Sequence, residues 1–355
     1  MSDNVLDVGI IGIGAIAMLS RVPALRSTGR ASITALCRRN QGYLRMAQET
    51  MAPVEIYTDW REMLDRAPMD AVLICTPHHL HTEPAVAALE RGLHVLVEKP
   101  MALTAEDAWS MVEAARKADC VLMATYAGRF SGQTRTAKCL LDEGRIGALR
   151  QLAIAFTAYR RFLWTAEEMP AGWRTIAAQS GLPAEFFANW GRQGHWFTEP
   201  EKVGGGMFAD VGAHQVSMAL YLGGAPPTEV VAFTESVGLS VECFVSAQAR
   251  LANGVMVSLI SADANPGAVV GKGMWTAIGD EGTLTADWNG DLWIDVDGRQ
   301  EQAELTVPRI DPATAFVNCV LDGAPNLAPG EHGAHAVAFA EAVYRSAAEG
   351  VIVNL

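Results

Sequence analysis

The sequence predicts an α/β chain in two parts: a doubly wound parallel domain at residues 1–126, then an α+β domain at 127–355 built on a large, mostly antiparallel open sheet. Three observations predict it. Short apolar strands alternate with helical segments as far as Thr125, the pattern of a parallel sheet covered on both faces. Beyond Tyr126 strands follow one another with no helix between them, punctuated by Asn253-Gly254, Asn289-Gly290 and Asp297-Gly298. The 355 residues, half of them hydrophobic, suffice for two cores.

Taken in order, Val5–Ile13 is an apolar strand running into Gly12-Ile13-Gly14-Ala15-Ile16-Ala17. This is G-x-G-x-x-A between a strand and a helix. The first glycine makes a tight turn, the second lets amides approach a pyrophosphate, and the small third residue lets the helix pack on the sheet. A dinucleotide would sit there on a helix N-terminus, with Gly12, Gly14, Ala15 and Ile16 around it. Pro23 is expected to kink or delay that helix. The second strand, Ser32–Cys37, ends in Arg38-Arg39, where a site for NAD would place a carboxylate. Planar, always-charged arginines suit a 2′-phosphate, so NADP is the expected cofactor, with NAD possible. The third strand, Ala71–Cys75, leads into Thr76-Pro77, read as a turn over the nicotinamide, and His78-His79-Leu80-His81. Three histidines in four residues invite a metal reading. No Asp, Glu or Cys follows at ligand spacing and the segment runs into a helix, so no metal is expected and His81 is read at the helix start. Glu83–Arg91 is helical, stopped by Gly92. Then comes the buried strand of His94-Val95-Leu96-Val97-Glu98-Lys99-Pro100, ended by its proline. Glu98 and Lys99 stand at its carboxyl end, where open parallel sheets bind ligands. Thr104 is an N-cap with Asp107 at the capping-box position, and Cys120–Thr125 is the last strand of this part.

The second part opens with a helix at 135–144. Strands are expected at Leu149–Tyr159, Thr228–Ser236, Val241–Leu251, Val255–Ser261, Met274–Ile278, Leu292–Val296 and Glu304–Val307, and helices at Asp311–Asp322 and His332–Glu349. Residues 159–200 carry nine of the 26 aromatics, Trp164 and Trp196 among them. Such a segment suits the wall of a site for a ring-shaped polar ligand, and equally an interface. Gly204-Gly205-Gly206 is a close-approach loop. The helix after it, ended by Gly223-Gly224, puts Asp210 and His214 four residues apart on one face. A carboxylate one turn from a histidine suits a general acid/base, the aspartate fixing the tautomer. Taken alone such a pair is more often a surface or packing pair, and the glycine loop and Lys99 favour the chemical reading.

These residues resemble the glucose–fructose oxidoreductase, inositol dehydrogenase and rhizopine-catabolism (Gfo/Idh/MocA) family. The likeness lies in Gly12/Gly14/Ala17, Thr76-Pro77 with His81, Glu98-Lys99-Pro100, Gly204-Gly205-Gly206 with Asp210 and His214, and Tyr344-Arg345-Ser346-Ala347 with Gly350. The resemblance implies an N-terminal Rossmann domain, a carboxyl-terminal open-sheet domain and a site between them. It implies Lys99, Asp210 and His214 as the catalytic group. It places Arg38, Arg39, Thr76, Pro77, His81, Glu98 and Lys99 with the glycine loop at the cofactor, and Lys99, Tyr126, Trp164, Trp196, Asp210 and His214 at the substrate. The family often has an aspartate three residues after the histidine; Ser217 stands there. The implied reaction is hydride transfer between a nicotinamide and a carbinol carbon of a sugar, cyclitol or related polyol. A redox-neutral sugar-modifying enzyme holding its nicotinamide tightly, or a non-catalytic NADP-sensing regulator, are the alternatives.

The formal charge is −13: 12 Lys and Arg against 15 Asp and Glu up to residue 126, and 15 against 25 after it. With no basic patch, nucleic acid and anionic membrane are not expected partners. The N-terminus has no cationic segment before its apolar run, no run reaches the ~18 residues of a membrane span, and the six cysteines show no metal or redox spacing. A cytoplasmic protein is expected. Strands with few covering helices leave an apolar sheet face, so a homodimer or homotetramer through the carboxyl-terminal sheet is expected.

Overall fold

A computed structural model of the chain describes residues 5–51, 53–165, 174–175, 178–180, 196–263, 272–287 and 290–355. These residues form two units. One takes in Met1–Thr125, Ala171–Trp190 and Asp311–Ala334, the other Tyr126–Pro170, Gly191–Ile310 and His335–Leu355.

The first unit is a parallel sheet of β1 (Leu6–Ile11), β2 (Ala31–Cys37), β3 (Glu55–Tyr57), β4 (Ala71–Ile74), β5 (His94–Val97) and β6 (Leu122–Ala124). Their order is β3-β2-β1-β4-β5-β6, so the winding reverses between β1 and β4. The carboxyl ends beside that reversal form the ligand crevice of such sheets. β4 is buried throughout, as are Val95, Leu96 and Val97 of β5, which is why both read as continuous apolar runs. β1 stops before Gly12, whose N–H turns aside to the Cys37 carbonyl at 2.9 Å. β3 shows only Glu-Ile-Tyr, two of them exposed, and carries too little pattern to be read from sequence. Helices α1 (Val22–Ser27), α2 (Gln41–Met51), α3 (Trp60–Arg66), α4 (Thr82–Leu89) and α5 (Ala105–Ala118) complete the winding. Pro23 falls in the first turn of α1, where a missing N–H is tolerated. A π-helical stretch, Ala17–Arg21, precedes it. The Thr104 hydroxyl accepts the Asp107 N–H at 3.1 Å, the expected cap. The late helix Pro312–Asp322 packs on α1 and β5 in this unit, and Arg30 pairs with both oxygens of Asp322 at 2.7 Å.

The second unit holds nine strands in the order β14-β13-β12-β11-β7-β10-β9-β8-β15. They are β7 (Leu149–Ala158), β8 (Pro227–Glu235), β9 (Phe244–Leu251), β10 (Met256–Asp263), β11 (Lys272–Gly279), β12 (Gly282–Ala286), β13 (Leu292–Val296), β14 (Arg299–Gln302) and β15 (Val353–Asn354). Only β7 and β10 pair in parallel; every other described pair is antiparallel. Two expectations fail at the far end. Glu304–Val307 is not a strand: the Val307 N–H bonds the Thr136 hydroxyl at 3.1 Å, which ties this segment to helix Gly132–Asp142. The sheet instead takes the fully polar Arg299–Gln302, and Gly282–Ala286, a run of small residues that does not announce itself. Val241 and Glu242 also lie outside β9, which begins at Phe244.

The strands of this sheet alternate. Leu152, Ile154, Ala247, Leu259 and Ala277 are buried on the face against which helix Ala213–Gly223 packs. The pairing Phe233–Ser246–Ile260–Ala155–Met274 crosses five strands on the other face. There Phe233 is 77%, Ile260 50% and Met274 55% exposed.

Candidate active site

In the first unit the expected cofactor residues gather at the carboxyl ends of β1, β2, β4 and β5. Gly12 has φ +95°, and a Cβ there would lie 2.5 Å from the Cys75 carbonyl carbon, so only glycine passes. Beside Gly14 the space is open. That open space lies in front of a helix whose first N–H groups have no partner within the helix. A dinucleotide fits this loop. Ala15 is buried under it and Ile16 is exposed. Arg38 donates from Nη1 to the Ile13 carbonyl inside the loop. Its guanidinium lies 4.1 Å from the centre of the Tyr43 ring. Burial lowers its pKa, but it remains a cation at neutral pH. Arg39, one residue on, is exposed.

Thr76 and Pro77 are half-buried after β4. His81 is fully buried behind them and bridges two backbone oxygens, Nδ1 to Pro100 at 2.9 Å and Nε2 to Thr76 at 2.8 Å. It stands at the N-cap position of α4, yet its side chain does not cap the helix. It braces the Thr76-Pro77 turn against the segment that follows Lys99. Burial pulls its pKa down, and the two carbonyls only partly offset this.

Glu98 is buried and its two oxygens are engaged within the unit. Arg21 Nε donates to Oε1 at 2.5 Å, and the Thr125 hydroxyl donates to Oε2 at 2.7 Å. Burial alone would raise the Glu98 pKa; the Arg21 charge and these hydrogen bonds outweigh it and hold the carboxyl below its ordinary range. Glu98 therefore anchors the strand end from which half-buried Lys99 projects. Arg21, on the π stretch, escaped the sequence reading because nothing in its neighbourhood announces a partner 77 residues away.

In the second unit the triple glycine leads to a π-helical turn, Phe208–Gly212, continued by the α-helix Ala213–Gly223. The expected single α-helix is thus wider at its start, and the Ala213 N–H reaches the Phe208 carbonyl five residues back. External partners hold this turn. Buried Glu242 accepts the N–H of Gly206 and of Phe208, both at 2.8 Å, and the Tyr344 hydroxyl at 3.0 Å. The Tyr344 hydroxyl accepts the Ala209 N–H at 3.0 Å. A Cβ on Gly205 would lie 2.1 Å from that hydroxyl, which is why glycine stands there. Burial raises the Glu242 pKa against these bonds.

Asp210 is buried on the π turn and His214 half-buried beyond it. The Tyr126 ring meets His214 edge-on, with centroids 6.5 Å apart. Arg160 Nε lies 3.9 Å from Asp210 Oδ2. Asp263, at the end of β10, fixes that arginine by accepting its backbone N–H at 2.7 Å, and it pairs with Arg161 at 2.7 Å. Arg160, Asp263 and Glu242 had no sequence signal, since each acts across strands. Trp164 is buried and Trp196 stacks on Phe197 at 4.0 Å. Most of the rest of the aromatic segment lies outside the described residues. Among the described residues no three His, Cys, Asp or Glu side chains group as metal ligands, and no helix is long and apolar enough to cross a membrane.

Comparison with known proteins identifies the family and the fold. The family described as "Oxidoreductase family, NAD-binding Rossmann fold" (GFO_IDH_MocA) matches residues 6–126, and the "GFO/IDH/MocA C-terminal domain" matches 182–285. A 1,5-anhydro-D-fructose reductase of Ensifer adhaerens is 28% identical over 358 residues, covering 96% of each chain. A D-glucoside 3-dehydrogenase of Escherichia coli is 28% identical over 65% of this chain and 58% of its own length. The fold matches the aldose-aldose oxidoreductase of Caulobacter crescentus, crystallised with glycerol, at a TM-score of 0.78 and 23% identity, over 99% of this chain and 100% of that one. The chain belongs to the Gfo/Idh/MocA family and is a dehydrogenase or reductase with an NAD(P)-binding Rossmann domain.

Proposed function

We propose that this oxidoreductase prefers NADP and acts on a secondary alcohol or ketone carbon of a sugar, cyclitol or similar polyol, with Lys99, Asp210 and His214 as its catalytic group. The observation that carries this reading is the buried Asp210 on a clamped π turn, one turn before half-buried His214. The sugar names of the relatives support the substrate class. The nicotinamide, when bound, supplies the hydride acceptor or donor. In oxidation His214 takes the carbinol proton, and in reduction it returns one. Lys99 hydrogen-bonds the same oxygen and stabilises its developing negative charge. Asp210 orients the histidine. Gly12, Gly14, Ala15, Ile16, Thr76 and Pro77 hold the cofactor, with Arg38 and Arg39 on its 2′-phosphate and His81 and Glu98 bracing the loops. Tyr126, Trp164 and Trp196 contribute to the substrate wall.

On this reading residues 1–126 serve the cofactor and 127–355 the substrate and self-association. The exposed row through Phe233, Ile260 and Met274 is the surface that a second copy covers. The six free thiols suit a reducing cytoplasm. The test is to follow nicotinamide absorbance against a panel of sugars, cyclitols and keto-sugars, with NAD and NADP separately. Turnover with a polyol and NADP is the expected result. Silence across the panel with both cofactors would reject the substrate class.

A further inference from the structure

A second polar group lies within the second unit, beside the helix that carries His214. Arg129 is 2% exposed, and its Nε and Nη1 atoms have no hydrogen-bond partner. It belongs to the short turn Ala127–Phe130, and its guanidinium lies 4.6 Å from the centre of the Tyr221 ring. Four residues before Tyr221, Ser217 is fully buried with its hydroxyl also unpartnered. Residues four apart share a helix face. The helix meets the turn: a Cβ on Gly128 would lie 3.7 Å from Met218 Cβ and 3.8 Å from the His214 carbonyl oxygen. The ionisable groups that act on Arg129 are the hydroxyls of Tyr221 and Tyr126, and no carboxylate is among them. Burial drags its pKa down to about 10, so it is still a cation at neutral pH.

A buried cation with orphan donors is costly, and folded proteins supply such groups with a partner. Here the missing partner has a definable chemistry. It accepts hydrogen bonds from two guanidinium N–H groups and from a serine hydroxyl. It carries negative charge and is small, because the donors are enclosed. A dianion would lose too much hydration to enter. We propose that Arg129 and Ser217, beside the Tyr221 ring, form a binding site for a small monovalent anion such as chloride or formate, which neutralises the guanidinium against the helix that carries His214.

The site predicts a saturable, anion-specific gain in stability, because a ligand of the folded state alone stabilises it by mass action. Thermal unfolding is followed while chloride replaces gluconate at constant ionic strength, and again with formate. The wild type should gain roughly 2–5 °C and level off. Arg129→Met should lose the response. Ser217→Asp, which supplies a carboxylate in place of the ion, should also lose it while melting at or above the anion-loaded wild type. A wild type indifferent to both anions overturns the proposal, as does an Arg129→Met protein that keeps the full response. A Ser217→Asp protein that melts lower and still responds removes Ser217 from the site. If that variant does not fold, the wild-type titration and Arg129→Met decide alone.

Discussion

Glu98→Gln is the most telling perturbation of the first unit. It keeps the side chain's shape and its bond to Thr125 but removes the charge that Arg21 faces at 2.5 Å. Both side chains are about nine-tenths buried. Removing one partner of such a pair strands the other and costs about 3–5 kcal/mol. Asp311, 4.0 Å from Arg21 Nη1, gives the stranded cation a second, weaker partner, so the lower end is expected. That corresponds to a fall in melting temperature of roughly 6–12 °C. Arg21→Met should cost a similar amount. The double variant Arg21→Met/Glu98→Gln leaves no buried charge and should recover about 1–3 kcal/mol of the summed loss. Denaturant titration of the four proteins, with the cofactor absent, measures the cycle. The pH dependence has a fixed sign. Glu98 is held below its ordinary range, so its charge stabilises the fold above the unfolded-state value of about 4.3, and this is lost as pH falls toward the depressed folded value. The gap between wild type and Glu98→Gln should therefore close in acid. A Glu98→Gln protein within about 1 kcal/mol of wild type, with the two single effects simply adding, would show that the pair does not anchor this strand end.

Four further outcomes are expected. Lys99→Met should keep the fold and cofactor binding but lose turnover by about a hundredfold or more; most of the activity surviving on the best substrate would make Lys99 a structural cap. His214→Ala should cut kcat by about a hundredfold to ten-thousandfold and remove one limb of the pH–rate profile; an unaltered profile would move proton transfer elsewhere, Lys99 and Tyr126 being next. NADP should bind roughly ten- to a hundredfold tighter than NAD, less so at high salt, and Arg38→Asp should reverse the order; tryptophan quenching reads both affinities, and equal binding in the wild type would take Arg38 away from the phosphate. Light scattering at micromolar concentration should find an oligomer, and a monomer would refute the role given to the exposed sheet face.

Local chemistry was legible in the sequence. Gly12, the Thr104 cap and the Val95–Val97 strand each declare themselves within a few residues. The second sheet was legible wherever strands alternate, as β9 does from Phe244 to Leu251. It failed where a strand is held by its neighbours alone: Arg299–Gln302 has no buried side chain, while Glu304–Val307 has the right composition but a backbone claimed by Thr136. The same division runs through the site. The proposed catalytic group of Lys99, Asp210 and His214 is named by motif, whereas the groups that hold those segments in place carry no motif. Arg21, Glu242 and Asp263 meet their partners across 77, 34–36 and 102–103 residues, and no local pattern encodes a contact of that reach.

The margins of the nine-stranded sheet constrain what it can join. An open sheet has two borders with unsatisfied backbone groups, and each is an invitation to templated growth. Here one border is Arg-Gln-Glu-Gln, wholly in solvent, and the other is the two-residue strand Val353–Asn354. A charged border and a truncated one both discourage another chain from adding its strand alongside. The broad surface through Phe233, Ile260 and Met274 stays available while the borders do not. Any partner drawn to this sheet must therefore lie flat upon it, which favours assemblies of fixed size over filaments that lengthen without limit.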